Sequence, residues 1–239
     1  LLGVKIDNLS LEEAAQKVGF FLSGPKNNLI VTPNPEMVVR AQKDLTLRNI
    51  LNSAALSIPD GIGLVLASRF LKNPIKKKVP GVDFMEEICR IASAKGKSVF
   101  LLGAQIGIAG KACENLNEKF PDLKIAGHLD GDFDLESCFQ LVKMASPDIL
   151  FVALGAPKQE RWIFENLNKL ESVKLAMGVG GAFDFLSGKT KRAPLWMRKI
   201  GLEWFWRLII EPRRAKRIID AVIVFPVIFA YSFLVKDQH

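Results

Sequence analysis

Asp148-Ile-Leu-Phe-Val-Ala-Leu-Gly155, running straight on into Ala-Pro-Lys-Gln-Glu-Arg-Trp-Ile-Phe-Glu-Asn-Leu to residue 167, decides the fold of this chain. The apolar run has no polar alternation, so as a strand it carries two oily faces and must be covered on both. The residues that follow switch to helical period, which predicts a helix over 157–170. A fully buried strand feeding a helix is half of a βαβ unit, and repeated units build a parallel sheet.

The same pattern recurs on either side. SVFLLG at 98–103 precedes a helix expected over 107–119. Further strands are expected at 28–32, 55–58, 123–127 and 174–179, and further helices at 35–52, 61–71, 82–95 and 135–145. Ser10-Leu-Glu-Glu13 spells a capping box that opens a helix to about residue 22. The expected fold is therefore α/β: a Rossmann-like, mostly parallel sheet with helices on both faces. In such sheets ligands bind beyond the carboxyl ends of the strands, so the loops there hold the candidate chemistry.

Past Arg192 the alternation stops, which sets a boundary between an α/β core (1–192) and a helical appendage (193–239). Pro194 and Pro212 each suit a first helical position, giving one helix over 194–210 and another from 212 into the tail. Residues 189–217 hold ten Lys or Arg, two Glu and three of the four Trp; their net charge, +8, equals that of the whole chain. Basic residues interleaved with Trp and with Leu195, Ile200, Leu208 and Ile209 suit an anionic membrane surface. The segment is too greasy for a base-stacking platform, so nucleic acid is not the expected partner. Residues 221–235 are apolar but shorter than the ~20 residues a spanning helix needs, which implies a segment that dips into the bilayer, lies at its interface or packs on the core. An exposed patch of this kind also favours self-association, and removal of 195–239 is expected to leave the core folded.

A hydrophobic content of 49% over 239 residues supplies an ample core. The opening LLGVKIDNLSLEE lacks a basic region followed by a long apolar run, so no signal peptide is read there; without a leading Met it reads as short of its first few residues. Cys89, Cys113 and Cys138 are odd in number and widely spaced, which suggests reduced core residues. With only His128 and His239 present, zinc chemistry and a Ser-His-Asp apparatus are disfavoured.

At the strand ends, Thr32-Pro-Asn34-Pro35 offers a hydroxyl and an amide on a proline-fixed loop, with Asn34 also a candidate helix cap. Pro59-Asp60-Gly61 places a carboxylate where either a cap or a general base belongs. Gly103 and Gly155 leave room for a phosphate or sugar to approach the backbone, and Gly178-Val-Gly180-Gly181 comes nearest to a dinucleotide fingerprint. None of these loops completes a dinucleotide or P-loop fingerprint. Asp130, Asp132 and Asp134 form either a divalent-metal grip or a polar loop in which Asp134 caps the next helix.

Taken in order, TPNPEMVVRAQKD, IPDGIGLVLASR, VPGVDFMEEIC, FLLGA, DILFVALGAPKQERWI and VGGAFDFLSGKTKRAPLWMRKIGLEWFWRLIIEPRR resemble the bacterial WecG/TagA/CpsF glycosyltransferases, from Thr32 to about Arg217. The resemblance implies an inverting transfer of an N-acetylmannosamine-type sugar from UDP to a polyprenyl-diphosphate-linked GlcNAc, without metal or other cofactor. It implies work at the inner face of the cell membrane, as in teichoic acid linkage-unit synthesis. Asp60 matches the family's proposed base, with Thr32 and Gln159 as catalytic partners. Asn34, Lys78, Gly103, Gly155, Gly180, Asp184, Arg207, Arg214 and Arg217 match substrate-binding positions, the three arginines folding over the sheet edge to finish the site. Lys78 stands where relatives commonly have Arg, keeping the charge but losing the bidentate fork. The three aspartates at 130–134 replace a Gly/Tyr-rich loop and are not a family feature. Another donor sugar, or a membrane-peripheral sugar-nucleotide binder without chemistry, are the alternative readings.

Overall fold

The computed structural model describes residues 1–236; residues 237–239, His239 among them, lie outside the described residues. The chain begins with α1 (Leu11–Ser23), held at its start by the reciprocal Ser10–Glu13 capping box. There follow β1 (Asn28–Val31), α2 (Pro35–Lys43), α3 (Leu45–Ser53), β2 (Leu56–Ser57), α4 (Ile62–Ser68) and α5 (Gly81–Ala94). β3 (Ser98–Gly103), α6 (Ile108–Lys119), β4 (Lys124–Leu129), α7 (Leu135–Ala145), β5 (Ile149–Ala153) and α8 (Lys158–Asn166) continue the alternation. β6 (Leu175–Gly178) and α9 (Ala182–Leu186) close it, and α10 (Leu195–Lys199), α11 (Glu203–Ile210), α12 (Ala215–Ile219) and α13 (Phe225–Lys236) form the tail.

The strands make one sheet, ordered β2-β1-β6-β5-β3-β4, in which every pairing is parallel. Its faces bury two separate cores, as unalternated strands require. Leu29, Val31, Phe100, Leu102, Leu150, Val152 and Ala176 pack with α2, α3, α4, α7, α8 and α13. Ile30, Leu56, Val99, Leu101, Ile149, Phe151, Leu175 and Met177 pack with α1, α5, α6 and α9. Cys89, Cys113 and Cys138 are buried and unbridged.

Three departures from the sequence reading have local causes. The helix expected over 35–52 is two, because Asp44 ends α2 and caps α3 by accepting the Leu47 N–H. The helix expected over 194–210 is also two, broken at Gly201, whose φ of +83° leaves the right-handed helical region. The tail is helical from Ala215 on but widens to a π turn at Asp220–Val224. Pro226 supplies no N–H and its ring crowds the carbonyl one turn back, so a wider turn relieves it.

The tail packs on the sheet's first face. Phe225 and Phe229 are buried there, their rings stacked at 6.2 Å. No helix among the described residues is long and apolar enough to cross a membrane.

The sheet order also locates the site. From β3 the chain moves outward to β4, and from β5 it moves the other way to β6, so a crevice opens at the carboxyl ends of β3 and β5. Gly103 ends β3 at φ +103°, where a Cβ would lie 2.7 Å from the Ala153 carbonyl oxygen; only glycine allows that approach.

Candidate active site

Loops at the carboxyl ends of the strands and the helices after residue 194 enclose a cavity of about 1120 Å3. All twelve residues singled out from the sequence line it: Thr32, Asn34, Asp60, Lys78, Gly103, Gly155, Gln159, Gly180, Asp184, Arg207, Arg214 and Arg217. They come from segments far apart in the chain, gathered because every parallel strand delivers its loop to the same edge.

Asp60 follows β2 on a loop laced to its neighbours, its own N–H donating to the Pro33 carbonyl and the Val79 N–H to that of Pro59, both at 2.9 Å. Its carboxylate does not cap α4, whose N-cap is Gly61 and which has no side-chain cap. Instead Oδ2 accepts from the Gly81 N–H at the start of α5, at a long 3.4 Å. A Cβ on Gly81 would sit 3.5 Å from both Asp60 Oδ2 and Thr32 Oγ1, so glycine keeps the space beside carboxylate and hydroxyl open. Asn34 caps α2, accepting the Met37 N–H at 2.9 Å.

Burial pushes the Asp60 carboxyl up to about 6, and the negative charge of Glu203 adds to it; the Gly81 N–H, Arg207 and Lys78 pull the other way. Glu203 opens α11 and sits in a charge chain, 3.9 Å from Lys78 and 3.5 Å from Arg192, which also pairs with Asp83. Lys78 is thus tied to a carboxylate of the tail.

The three arginines divide. A Cβ on Gly181 would lie 3.2 Å from an Arg214 terminal nitrogen, 3.4 Å from one of Arg207 and 3.4 Å from Asp184 Oδ2, so these groups converge on one point. The Arg207 guanidinium lies 4.5 Å from the Phe185 ring centroid. Burial and then Arg214 lower its proton affinity from the usual guanidinium value, though an arginine keeps its charge. Arg214 also pairs with Glu211. Arg217 instead donates its Nε to both oxygens of the buried Glu36 at 2.9 Å, with Arg40 on the same carboxylate at 3.1 Å.

Gln159 is a staple. Its Oε1 accepts the N–H groups of Gly155 and Gly180, each at 3.1 Å, and its Nε2 donates to Glu160 at 2.7 Å. It joins the loops after β5 and β6, where Gly155 and Gly180 both hold positive φ. Burial raises the Glu160 carboxyl above the usual range. Of the three aspartates, Asp134 caps α7 and Asp130 accepts from the Ala109 and Gly110 N–H groups at the start of α6. Among the described residues no three His, Cys, Asp or Glu side chains converge as a metal-ligand set.

Glu36, Gly81, Gly181 and Glu203 escaped the sequence reading. Only Glu203 left a trace, as one of two acids among ten basic residues. A carboxylate of raised proton affinity beside an open hydroxyl, with paired guanidiniums in the same cavity, equips the protein for proton removal and for an anionic leaving group. Fold and site together are those of a group-transfer enzyme.

The chain belongs to the WecG/TagA/CpsF family of glycosyl transferases, whose family model matches residues 1–238. Two relatives from Staphylococcus aureus, strains MRSA252 and NCTC 8325, are each 37% identical over 222 residues, covering 91% of this chain and 87% of theirs. One from Bacillus subtilis strain 168 is 38% identical over 216 residues, covering 90% and 81%. All three are named N-acetylglucosaminyldiphosphoundecaprenol N-acetyl-beta-D-mannosaminyltransferase.

Proposed function

We propose that this glycosyltransferase moves N-acetylmannosamine from UDP to the GlcNAc of a polyprenyl-diphosphate acceptor, with inversion, at the inner face of the cell membrane. The observation that carries the reading is the meeting of Asp60 and Thr32 with Arg207 and Arg214 in one cavity. The names of the relatives support this sugar and this acceptor.

In the proposed reaction an acceptor hydroxyl attacks the anomeric carbon and gives its proton to Asp60. The new C–O bond forms as the bond to UDP breaks, and the electron pair leaves on the diphosphate. A base of raised proton affinity contributes about 10²–10⁴-fold. Arg207 and Arg214 offset the charge growing on the leaving group, and Thr32 positions the incoming hydroxyl. Gln159 holds the glycine loops on which the sugar nucleotide rests. Backside attack by the acceptor hydroxyl, from the face opposite UDP and in a single displacement, inverts the anomeric carbon.

The appendage brings the site to its lipid substrate. Leu195, Trp196, Ile200 and Ile209 are exposed among Arg198, Lys199 and Arg213, a mixture suited to an anionic leaflet.

The test is transfer from UDP-N-acetylmannosamine to a short-chain GlcNAc-diphosphate lipid, with EDTA or Mn²⁺, and NMR of the product's anomeric linkage. Inverted product in EDTA is expected. Product only with UDP-N-acetylmannosaminuronic acid or a UDP-hexose would replace the donor, retention of configuration would remove the single displacement, and a strict need for Mn²⁺ would return Asp132 to consideration as a ligand.

A further inference from the structure

Residues 61–82 contain five basic residues and no acidic one: Arg69, Lys72, Lys76, Lys77 and Lys78. The segment leaves the cavity rim at Leu66 and returns to it at Lys78, so what lies between projects beside the cavity mouth. It is a built loop. Ile75 is buried and donates its N–H to Ser68 Oγ at 2.8 Å. Asn8 clasps the far limb, donating to the Pro74 carbonyl and accepting from the Lys76 N–H, both at 2.9 Å.

The tip of this held loop is oily and charged together. Phe70 is 71% exposed and Leu71 and Leu66 are also exposed, with Arg69 and Lys72 exposed beside them. Lys78 pairs with Glu203 and Lys77 lies within the electrostatic reach of Glu12; among the described residues Arg69, Lys72 and Lys76 are exposed and form no ion pair, so they can meet an outside partner. The patch continues onto the tail: the Phe70 ring lies 6.4 Å from that of Phe229, and Val227 and Tyr231 of α13 are exposed.

We infer that the 66–76 loop is a second membrane-contact element, inserting Phe70 and Leu71 into an anionic leaflet while Arg69, Lys72 and Lys76 meet its headgroups. The inference rests on the membrane-surface reading proposed above and extends it from the appendage to the core. A solvated loop does not need two large apolar side chains at its tip, and an unbalanced positive charge beside them matches a negatively charged lipid surface rather than a neutral one. With contacts on both sides of its mouth, the cavity would face the bilayer directly.

The test is co-sedimentation of the full chain with phosphatidylcholine vesicles, with and without phosphatidylglycerol. It compares wild type, Arg69→Glu/Lys72→Glu and Phe70→Ser, alongside transfer to a water-soluble acceptor. Each headgroup contact contributes about 1 kcal/mol, so charge reversal is expected to weaken binding to phosphatidylglycerol vesicles at least about tenfold. Phe70→Ser should weaken binding to both kinds of vesicle, and transfer to the soluble acceptor should be unchanged for both variants. Wild-type binding that the variants share would overturn the inference and leave the appendage as the membrane anchor. Failure of the wild type to bind would overturn the membrane reading with it. Variants that lose only self-association in sedimentation velocity would assign the patch to a second copy of the chain, again against the inference.

Discussion

Asp60 lies in conflict with its surroundings. Its carboxyl titrates near 6 in the fold against 3.8 in a model peptide. The folded state therefore holds the proton more tightly than the unfolded one. Below pH 3.8 both states are protonated and Asp60 costs nothing; as pH rises toward 6 the cost grows, and above 6 it is complete. Asp60→Asn is expected to stabilise the protein at neutral pH by up to about 3 kcal/mol and to do nothing in strong acid; urea midpoints at the two pH values check this. At Arg214, reversal to Glu is expected to cut turnover by about 10²–10³-fold with the fold intact by circular dichroism. Undiminished turnover would remove the leaving-group role. The place of Asp60 in the cavity was legible because a residue just after a buried parallel strand falls at the sheet's carboxyl edge. Glu36 was not: an acid in the first turn of a helix reads as a complement to the helix dipole, while its partner Arg217 lies 181 residues away.

Gln159→Ala would leave the half-buried N–H groups of Gly155 and Gly180 without their acceptor, at a cost for each below the about 1–3 kcal/mol of a fully buried group. Transfer should suffer more in KM than expected from stability alone, since both loops line the cavity. Phe225→Ala should cost about 3–5 kcal/mol, because a fully buried ring is removed from a packed face; denaturant unfolding measures it. Strand positions were legible from apolar runs bounded by Gly and Pro. The short α9 was missed because three glycines before it hid its start, and the breaks at Asp44 and Gly201 were missed because the apolar period runs on across them. The helical tail was expected, but its π turn depends on how Pro226 meets the turn before it, which spacing alone does not show.

At the scale of the molecule, parallel strands guaranteed that the motifs would meet at one edge, and that much could be read from their order in the chain. Which strands neighbour each other could not, because the chain skips positions in crossing from β2 to β3 and from β4 to β5. Packing of the tail on the core is one of the open readings of residues 221–235, but that it joins α2 and α4 through Phe225 and Phe229 was not legible. Removal of 195–239 is therefore expected to uncover that face, lowering the unfolding midpoint and promoting self-association as well as weakening vesicle binding. Vesicle binding by the whole chain should also fall with added salt, since exposed charges are screened within about 10 Å at 0.1 M. The central claim is that this fold assembles a base and an anion clamp from segments distant in sequence, and kcat/KM for a water-soluble acceptor across pH, for wild type and Asp60→Asn in EDTA, tests it most directly. The account predicts a wild-type rate that falls below a midpoint near pH 6 and an Asn variant slower by about 10²–10⁴-fold with no such midpoint. A variant that keeps the wild-type rate, or the same acid limb, would contradict it.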